Sequence, residues 1–209
     1  MPKRSFMSKR ERFAVSKFFA YIARMKYIRR WGLMPAQRDE NVQEHSLQVA
    51  MIAHALALIA NKHYGAHLDA EHIMAIAVYH ETGEVITGDL VTPIKYYNPT
   101  ITTAFKEVEK VAEEHMIDLL PKDMRDDYRL LIQPSDAEEK RYVKAADKIA
   151  AYCKCLEEHR SGNQEFSMAA KTLERSIHDM KLEAAEEFMK EYVPAFDQTL
   201  DELNRPENL

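Results

Sequence analysis

The chain has 209 residues, 46% of them hydrophobic and 30% charged, with a formal net charge of −5. That length is enough for one domain with a substantial core, and the composition is that of a globular protein. The acidic balance lacks the basic footprint of a nucleic-acid-binding surface, and no apolar run approaches the roughly 18 residues that span a bilayer. Gly is scarce at five and Met abundant at eleven, which favours helices over sheet turns.

In chain order, the start, MPKRSFMSKRER, is basic but no apolar stretch follows it. It therefore reads as a leader or surface segment over 1–14 rather than a signal peptide, ahead of one domain over 15–209. Apolar and basic residues alternate at helical spacing over 12–29. Gly32 and Pro35 make 30–43 a loop. An apolar helix is expected over 44–63, with Leu47, Ala50, Met51, His54 and Leu58 along it. Asp69 is a plausible N-cap for a helix over 70–83. Gly88, Pro93 and Pro99 make 84–100 the longest irregular stretch, and long ordered loops in compact domains are often functional. A helix over 101–119 stops before Pro121, and a short one follows over 122–132. Ser135 and Glu138 form a capping box that opens a long helix to about 161. Another runs to about 192, and Pro194 separates it from a short terminal helix. The expected fold is all-α, a single-domain helical bundle. Cys153 and Cys155, at i, i+2 on a helix, point to different sides, so neither a disulfide nor a chelate is expected and a reducing cytoplasm fits.

The chemistry concentrates in a few residues. His45 starts one predicted helix, His80-Glu81 ends another, and Asp147 lies on a third beside Ala145, Ala146 and Ala150. Two imidazoles and two carboxylates make a mixed N/O donor set suited to one divalent ion, such as Co, Mn or another first-row metal, with Zn possible; Mg alone would seldom choose two imidazoles. Taken singly, each residue also has an ordinary reading as a surface, capping or packing group. His80-Glu81 followed by Glu84 is not the zinc-protease pattern, because position 84 lacks the second imidazole. His54 and His115 are expected to pack or face solvent, the charge run 107–118 to be solvated, and the Met and Tyr residues at helical spacing to be core.

The ordered segments NVQEHSLQVAMIAHALA, AVYHETGEVITGDLVTPIKYYN and VKAADKIAAYCKCLEE, preceded by RWGLMPAQRDENV, resemble the HD-domain superfamily, and more closely the bacterial YfbR-like 5′-deoxynucleotidases. The resemblance runs from about residue 16 to 203. It implies a helical bundle, usually a homodimer. It implies one divalent metal held by His45, His80, residue 81 and Asp147, and hydrolysis of deoxyribonucleoside 5′-monophosphates in preference to ribonucleotides, with no nucleic-acid polymer and no membrane as partner. By the same resemblance Glu84 is catalytic, Arg30 and Trp31 line the nucleotide pocket, and Asp89 contacts substrate.

Physical chemistry supplies matching roles. Glu84, i+4 from His80, is placed to take a proton from an attacking water, or to hold that water in line, if the helix continues. Arg30 offers a bidentate fork for phosphate or sugar, and Trp31, the chain's one tryptophan, a rigid face against a 2′-hydroxyl. Asp89 can accept a bond from a 3′-hydroxyl or simply shape the turn after Gly88. Thr92 and Lys95 follow in the same loop, where Lys95 attracts phosphate or is merely solvated. Glu81 stands where the family carries Asp, and its extra methylene lengthens the arm by about 1.5 Å. Two alternatives therefore stay open at this point: a nucleotide-binding HD protein weakened or inactivated by Glu81, and an HD phosphohydrolase acting on another nucleotide.

Overall fold

The computed structural model describes residues 15–91, 94 and 97–205. The leader expected over 1–14 lies outside the described residues, as do Thr92 and Lys95. Every regular element among the described residues is helical. The α-helices are α1 (Phe18–Ile22), α2 (Val42–His63), α3 (Ala70–Tyr79), α4 (Glu84–Thr87), α5 (Pro99–Asp118), α6 (Arg125–Ile132), α7 (Ala137–Arg160), α8 (Ser167–His178), α9 (Glu183–Glu191) and α10 (Leu200–Leu203). Short 3₁₀ turns cover Met25–Tyr27, Gln164–Phe166 and Val193–Asp197.

The main core lies between α2, α3 and α7. Alanines at 50, 53, 57 and 60 of α2 face alanines at 145, 146 and 150 of α7, all nearly or fully buried. Such small side chains let helix axes approach closely. Leu56, Ile73, Ile76 and Ile149 fill the remaining space, and Ile177 and Phe188 close it from α8 and α9. A second cluster joins Phe18 to Met116, Ile117, Leu120 and Ile132, with Tyr79 and Tyr128 packed against it. There Phe18 meets the Tyr128 ring edge-on at 5.1 Å, and Tyr79 meets the same ring at 5.5 Å. This cluster anchors α1, and through it the chain that runs on to Arg30.

Helix starts follow side-chain chemistry. Asn41, Asp69 and Asn98 each accept a backbone N–H of the first turn of α2, α3 and α5, satisfying donors that have no partner within the helix. α7 differs from expectation. Its cap is Asp136, whose carboxylate takes the N–H groups of both Glu138 and Glu139, so the helix begins at Ala137 and Ser135 caps nothing.

Other boundaries also depart from the sequence pattern. The helix expected over 12–29 is, in its described part, only α1 and a 3₁₀ turn, because Ile28–Arg30 runs extended beside residues 40–42. Arg29 and Asn41 form an antiparallel bridge there. The helix expected over 70–83 ends at Tyr79, and the segment expected to run to 192 breaks between α8 and α9. At that break Lys181 has φ +49°, and Arg141 of α7 donates to the carbonyls of Met180 and Lys181. The stretch expected to be irregular, 84–100, contains α4, which ends at Gly88 with φ +71°, a conformation glycine adopts without a Cβ penalty. Not all Met and Tyr residues are core: Met51, Met168, Tyr27 and Tyr97 are exposed.

Candidate metal centre and substrate pocket

His45 lies in the first turn of α2, His80 caps the C-terminal end of α3, Glu81 follows in the turn, and Asp147 lies in the middle of α7. One donor atom from each comes within 4.8 Å of all the others. Four donors set tetrahedrally about 2.0–2.2 Å from a single ion lie roughly 3.3–3.6 Å apart, so the widest separation in the cluster has to shorten by about 1 Å to hold one.

Local structure aims these groups. Past Tyr79 the chain tightens into i→i+3 bonds, from Thr82 N–H to the Tyr79 carbonyl and from Glu84 N–H to the Glu81 carbonyl, each at 3.0 Å. That tightening turns the His80-Glu81 pair inward. His80 Nδ1 lies 2.7 Å from the Ala77 carbonyl oxygen, which can only accept, so Nδ1 carries a proton and Nε2 is the nitrogen left for another partner. Nε2 is buried without a hydrogen-bond partner, 3.4 Å from Glu81 Oε1. A backbone carbonyl that fixes the tautomer and leaves the other nitrogen bare is the usual support of a metal-ligating histidine.

His45 is fully buried and its Nε2 lies 3.0 Å from Asp147 Oδ1. Burial pushes the His45 imidazole below its ordinary pKa, helped by the charges of Arg30 and His80 and opposed by the bond to Asp147. The neutral ring is the form that binds metal. Burial works against ionisation of Asp147, but the His45 bond and the charges of His45, His80 and Arg30 hold its carboxyl well below the usual range. The donor set thus fits a divalent cation in residue type and in its convergence, with a cation there taking the place of the proton that His45 Nε2 shares with Asp147.

Beside it lies a second group. Arg30 has a side chain only 12% exposed, and Asp147, Glu40, Glu81 and Asp89 act on its charge. Burial opposes that charge, yet these carboxylates hold the guanidinium pKa above its ordinary value. Its Nε donates to Glu40 Oε2 at 3.1 Å, and its Nη1 lies 3.9 Å from Glu81 Oε1. Trp31 donates its indole N–H to the same Glu40 oxygen at 2.9 Å and meets Phe166 edge-on at 5.2 Å. Its backbone has φ +59°, a left-handed conformation that costs a non-glycine residue roughly 1–2 kcal/mol. The surrounding contacts therefore hold Trp31 where an isolated turn would not.

The loop after Trp31 is fastened from behind. Glu158 of α7, 2% exposed, accepts the backbone N–H of Gln37 at 2.8 Å and of Arg38 at 3.3 Å, and the Asn163 side-chain amide at 2.8 Å. Lys154, one turn earlier, donates to Glu158 at 2.6 Å and to the Arg38 carbonyl at 2.7 Å.

Glu84 is buried, 5% exposed, as the first residue of α4. It follows a turn rather than a continuing helix, so the i+4 argument from His80 does not describe how it is placed. Asp89 comes just after Gly88 and is half-buried, close enough to act on Arg30.

Sequence reasoning passed over Glu40, Lys154 and Glu158. Glu40 sits in RDENV, where a run of charged residues reads as a solvated loop. Nothing short of the chain's path brings it against Arg30 and Trp31. For Lys154 and Glu158, the i, i+4 spacing of opposite charges inside a helix with so much buried alanine was the available signal.

A sequence model of the YfbR-like 5′-deoxynucleotidases matches residues 17–196. A 5′-deoxynucleotidase of Vibrio cholerae is 48% identical over 191 residues, covering 90% of this chain and 98% of that one. Among solved structures, an HD-domain phosphohydrolase from Listeria innocua superposes with a TM-score of 0.75 at 22% identity, covering 86% of this chain and 88% of the other. The cyanophage S-2L HD phosphohydrolase DatZ, bound to dA and one catalytic Zn²⁺ ion, superposes with a TM-score of 0.61 at 16% identity, over 86% of this chain and 96% of that one.

Proposed function

The chain belongs to the YfbR-like 5′-deoxynucleotidase family, and from that membership we propose how it acts as a metal-dependent phosphomonoesterase on deoxyribonucleoside 5′-monophosphates. The observation that carries the reading is the junction of two groups: a four-donor cluster of His45, His80, Glu81 and Asp147 stands within ionic reach of Arg30. Carboxylates outnumber cations there, so a phosphate dianion would be repelled unless a cation neutralises the site. A divalent ion held by those four residues supplies that charge and lowers the pKa of a bound water.

The protein's own residues do the rest. Arg30 grips a phosphate oxygen through the guanidinium edge not engaged by Glu40. Glu84, which follows the turn that carries the ligand pair, accepts the proton of the attacking water as its oxygen bonds to phosphorus and the ester bond to the 5′-oxygen breaks, and that proton is then passed to the 5′-oxygen so that the deoxynucleoside leaves neutral. Trp31 walls the sugar on the side where a ribose carries its 2′-hydroxyl, and Asp89 accepts a bond from the 3′-hydroxyl. Thr92 and Lys95 belong to this reading as further substrate contacts. The nucleoside dA bound by DatZ, with its Zn²⁺, supports an occupant of this size beside a metal. For this chain we propose Co, Mn or another first-row metal, with Zn as an alternative.

Glu81 does not turn away from the site. Its Oε1 lies among the donors and its side chain is 19% exposed, which favours a retained metal over an inactive relic. The reading extends to a homodimer, supported by Leu47, Met51 and Leu58 exposed along α2. It also extends to a reducing cytoplasm, supported by the free, buried Cys153 and Cys155. No helix of the described residues is long and apolar enough to cross a membrane. The test is phosphate release from matched deoxy- and ribonucleoside 5′-monophosphates with and without chelator. Chelator-sensitive release that favours the deoxy series supports the reading; equal release from both series, or release that survives chelation, contradicts it.

A further inference from the structure

We infer that Glu40 is the positioning residue of the nucleotide pocket: its carboxylate fixes the arginine and the tryptophan together, and so sets the discrimination between deoxyribose and ribose. This rests on the substrate reading given above.

One oxygen, Glu40 Oε2, takes both the Arg30 Nε–H at 3.1 Å and the Trp31 indole N–H at 2.9 Å. Neighbouring residues in a turn normally point apart; here a single acceptor ties them into one unit. Glu40 is 8% exposed, so these charge-assisted bonds act with little competition from water. Its own backbone is set by the bond from Arg30 N–H to the Glu40 carbonyl at 3.0 Å and by the Arg29–Asn41 bridge. The carboxylate therefore reaches its two partners from a fixed frame.

The pair has reason to need it. Arg30 also faces Glu81, Asp147 and Asp89; without Glu40 its guanidinium is drawn towards the metal-site carboxylates and the fork changes direction. Trp31 holds a left-handed backbone, with Phe166 against one edge of its ring and Glu40 on its N–H. Loss of Glu40 frees the indole to rotate away from the sugar wall. The loop itself does not depend on Glu40, because Glu158 and Lys154 hold Gln37 and Arg38 separately. The effect of a Glu40 variant is thus expected at the two side chains rather than across the fold.

Trp31 is the only tryptophan in the chain, so its fluorescence reports this one contact. The experiment compares wild type, Glu40→Ala, Glu40→Gln and, as a control, Asp39→Asn, which alters only the exposed Arg29–Asp39 ion pair. It reads acrylamide quenching of Trp31 and kcat/KM for a matched deoxy- and ribonucleoside 5′-monophosphate. Glu40→Ala is expected to raise quenching and to lower the deoxy-to-ribo ratio about tenfold, the size of a mispositioned sugar contact. Glu40→Gln, which keeps an acceptor but not the charge, is expected to leave quenching near wild type while raising KM several-fold. Asp39→Asn should match wild type in both. A merely structural role would lower kcat for both sugars equally and leave the ratio alone, and that result overturns the inference. So does unchanged quenching in Glu40→Ala. If Glu40→Ala fails to fold, an unchanged KM in Glu40→Gln overturns it. Should wild type show no deoxy-selective release, the substrate reading fails, and quenching alone decides whether Glu40 holds the indole.

Discussion

The Arg30 guanidinium and the Glu81 carboxylate stand 3.9 Å apart, so the cation proposed to hold substrate and a member of the candidate metal cluster are in ionic contact. Glu81 Oε1 is at the same time 3.4 Å from His80 Nε2. One carboxylate oxygen therefore lies between the two halves of the site. An Asp at position 81 would have a shorter arm, and the contact with Arg30 would lengthen.

The first prediction concerns that arm. Glu81→Ala removes a donor and should weaken divalent-metal binding by more than about 100-fold, beyond the 10–100-fold cost of losing an outer partner. Glu81→Asp should keep a metal but change the order of preference among Mn, Co and Zn, because ligand reach and number set that order. Calorimetric titration of chelated protein with each ion measures both. Binding of all ions by Glu81→Ala at wild-type strength would remove Glu81 from the donor set.

The buried Lys154–Glu158 pair should matter for stability. Glu158→Gln leaves Lys154 buried beside a neutral partner and is expected to cost about 3–5 kcal/mol in chemical denaturation at neutral pH. The loss should depend on pH. Burial alone would raise the Glu158 carboxyl, but the Gln37 N–H, Lys154, Asn163 and the Arg38 N–H pull it down to about 2 from an ordinary 4.5. A carboxyl depressed in the folded state gives its full contribution above its unfolded value and loses it as pH falls towards the folded one. The gap between wild type and Glu158→Gln should accordingly narrow between about pH 5 and pH 2. A gap constant across that range would show that the charge of Glu158 contributes nothing.

Cys153 and Cys155 should be inert in the folded protein. Burial pushes both thiols up to about 12, and only the thiolate reacts. A disulfide reagent at about pH 8 should label neither cysteine in the native state and both after denaturation, because so little thiolate is present. Rapid labelling of the native protein would contradict the packing of α7.

Phe18 is fully buried and joins α1 to α5 and α6. Phe18→Ala should cost about 3–5 kcal/mol by the usual loss on emptying an aromatic core site. A thermal or urea melt checks it, and an unchanged midpoint would mean that α1 is not part of the cooperative unit.

The elements legible in the sequence were those with a local cause. α2, α3 and α5 start at or near side chains that cap them, and the apolar content of α2 marked it as a packed helix. The candidate donors His45, His80, Glu81 and Asp147 were legible as residue types, and the structure supplies their convergence. What escaped had causes far away in the chain. The break before Lys181 is held by Arg141, 39 and 40 residues from the carbonyls it binds. The extended run at Ile28–Arg30 exists because residues 40–42 lie beside it, a tertiary pairing that overrode helical spacing. Local pattern also misled at Ser135, since the neighbouring Asp136 is the better-placed acceptor. It misled again along α2, where Met51, expected as core, lies on the outer face. Glu40 shows the same limit at the site: its partners are nine and ten residues away, and only the fold makes them neighbours.

The most direct test of the central claim is a reconstitution titration. Protein stripped by chelator receives Mn²⁺ or Co²⁺ in small steps while phosphate release from a deoxyribonucleoside 5′-monophosphate is followed. The account predicts no release at the start, a rise that ends at one ion per chain, and little release from the ribonucleotide at that point. Full activity before any metal is added, or a rise that Glu81→Ala and His80→Ala reproduce unchanged, would contradict it.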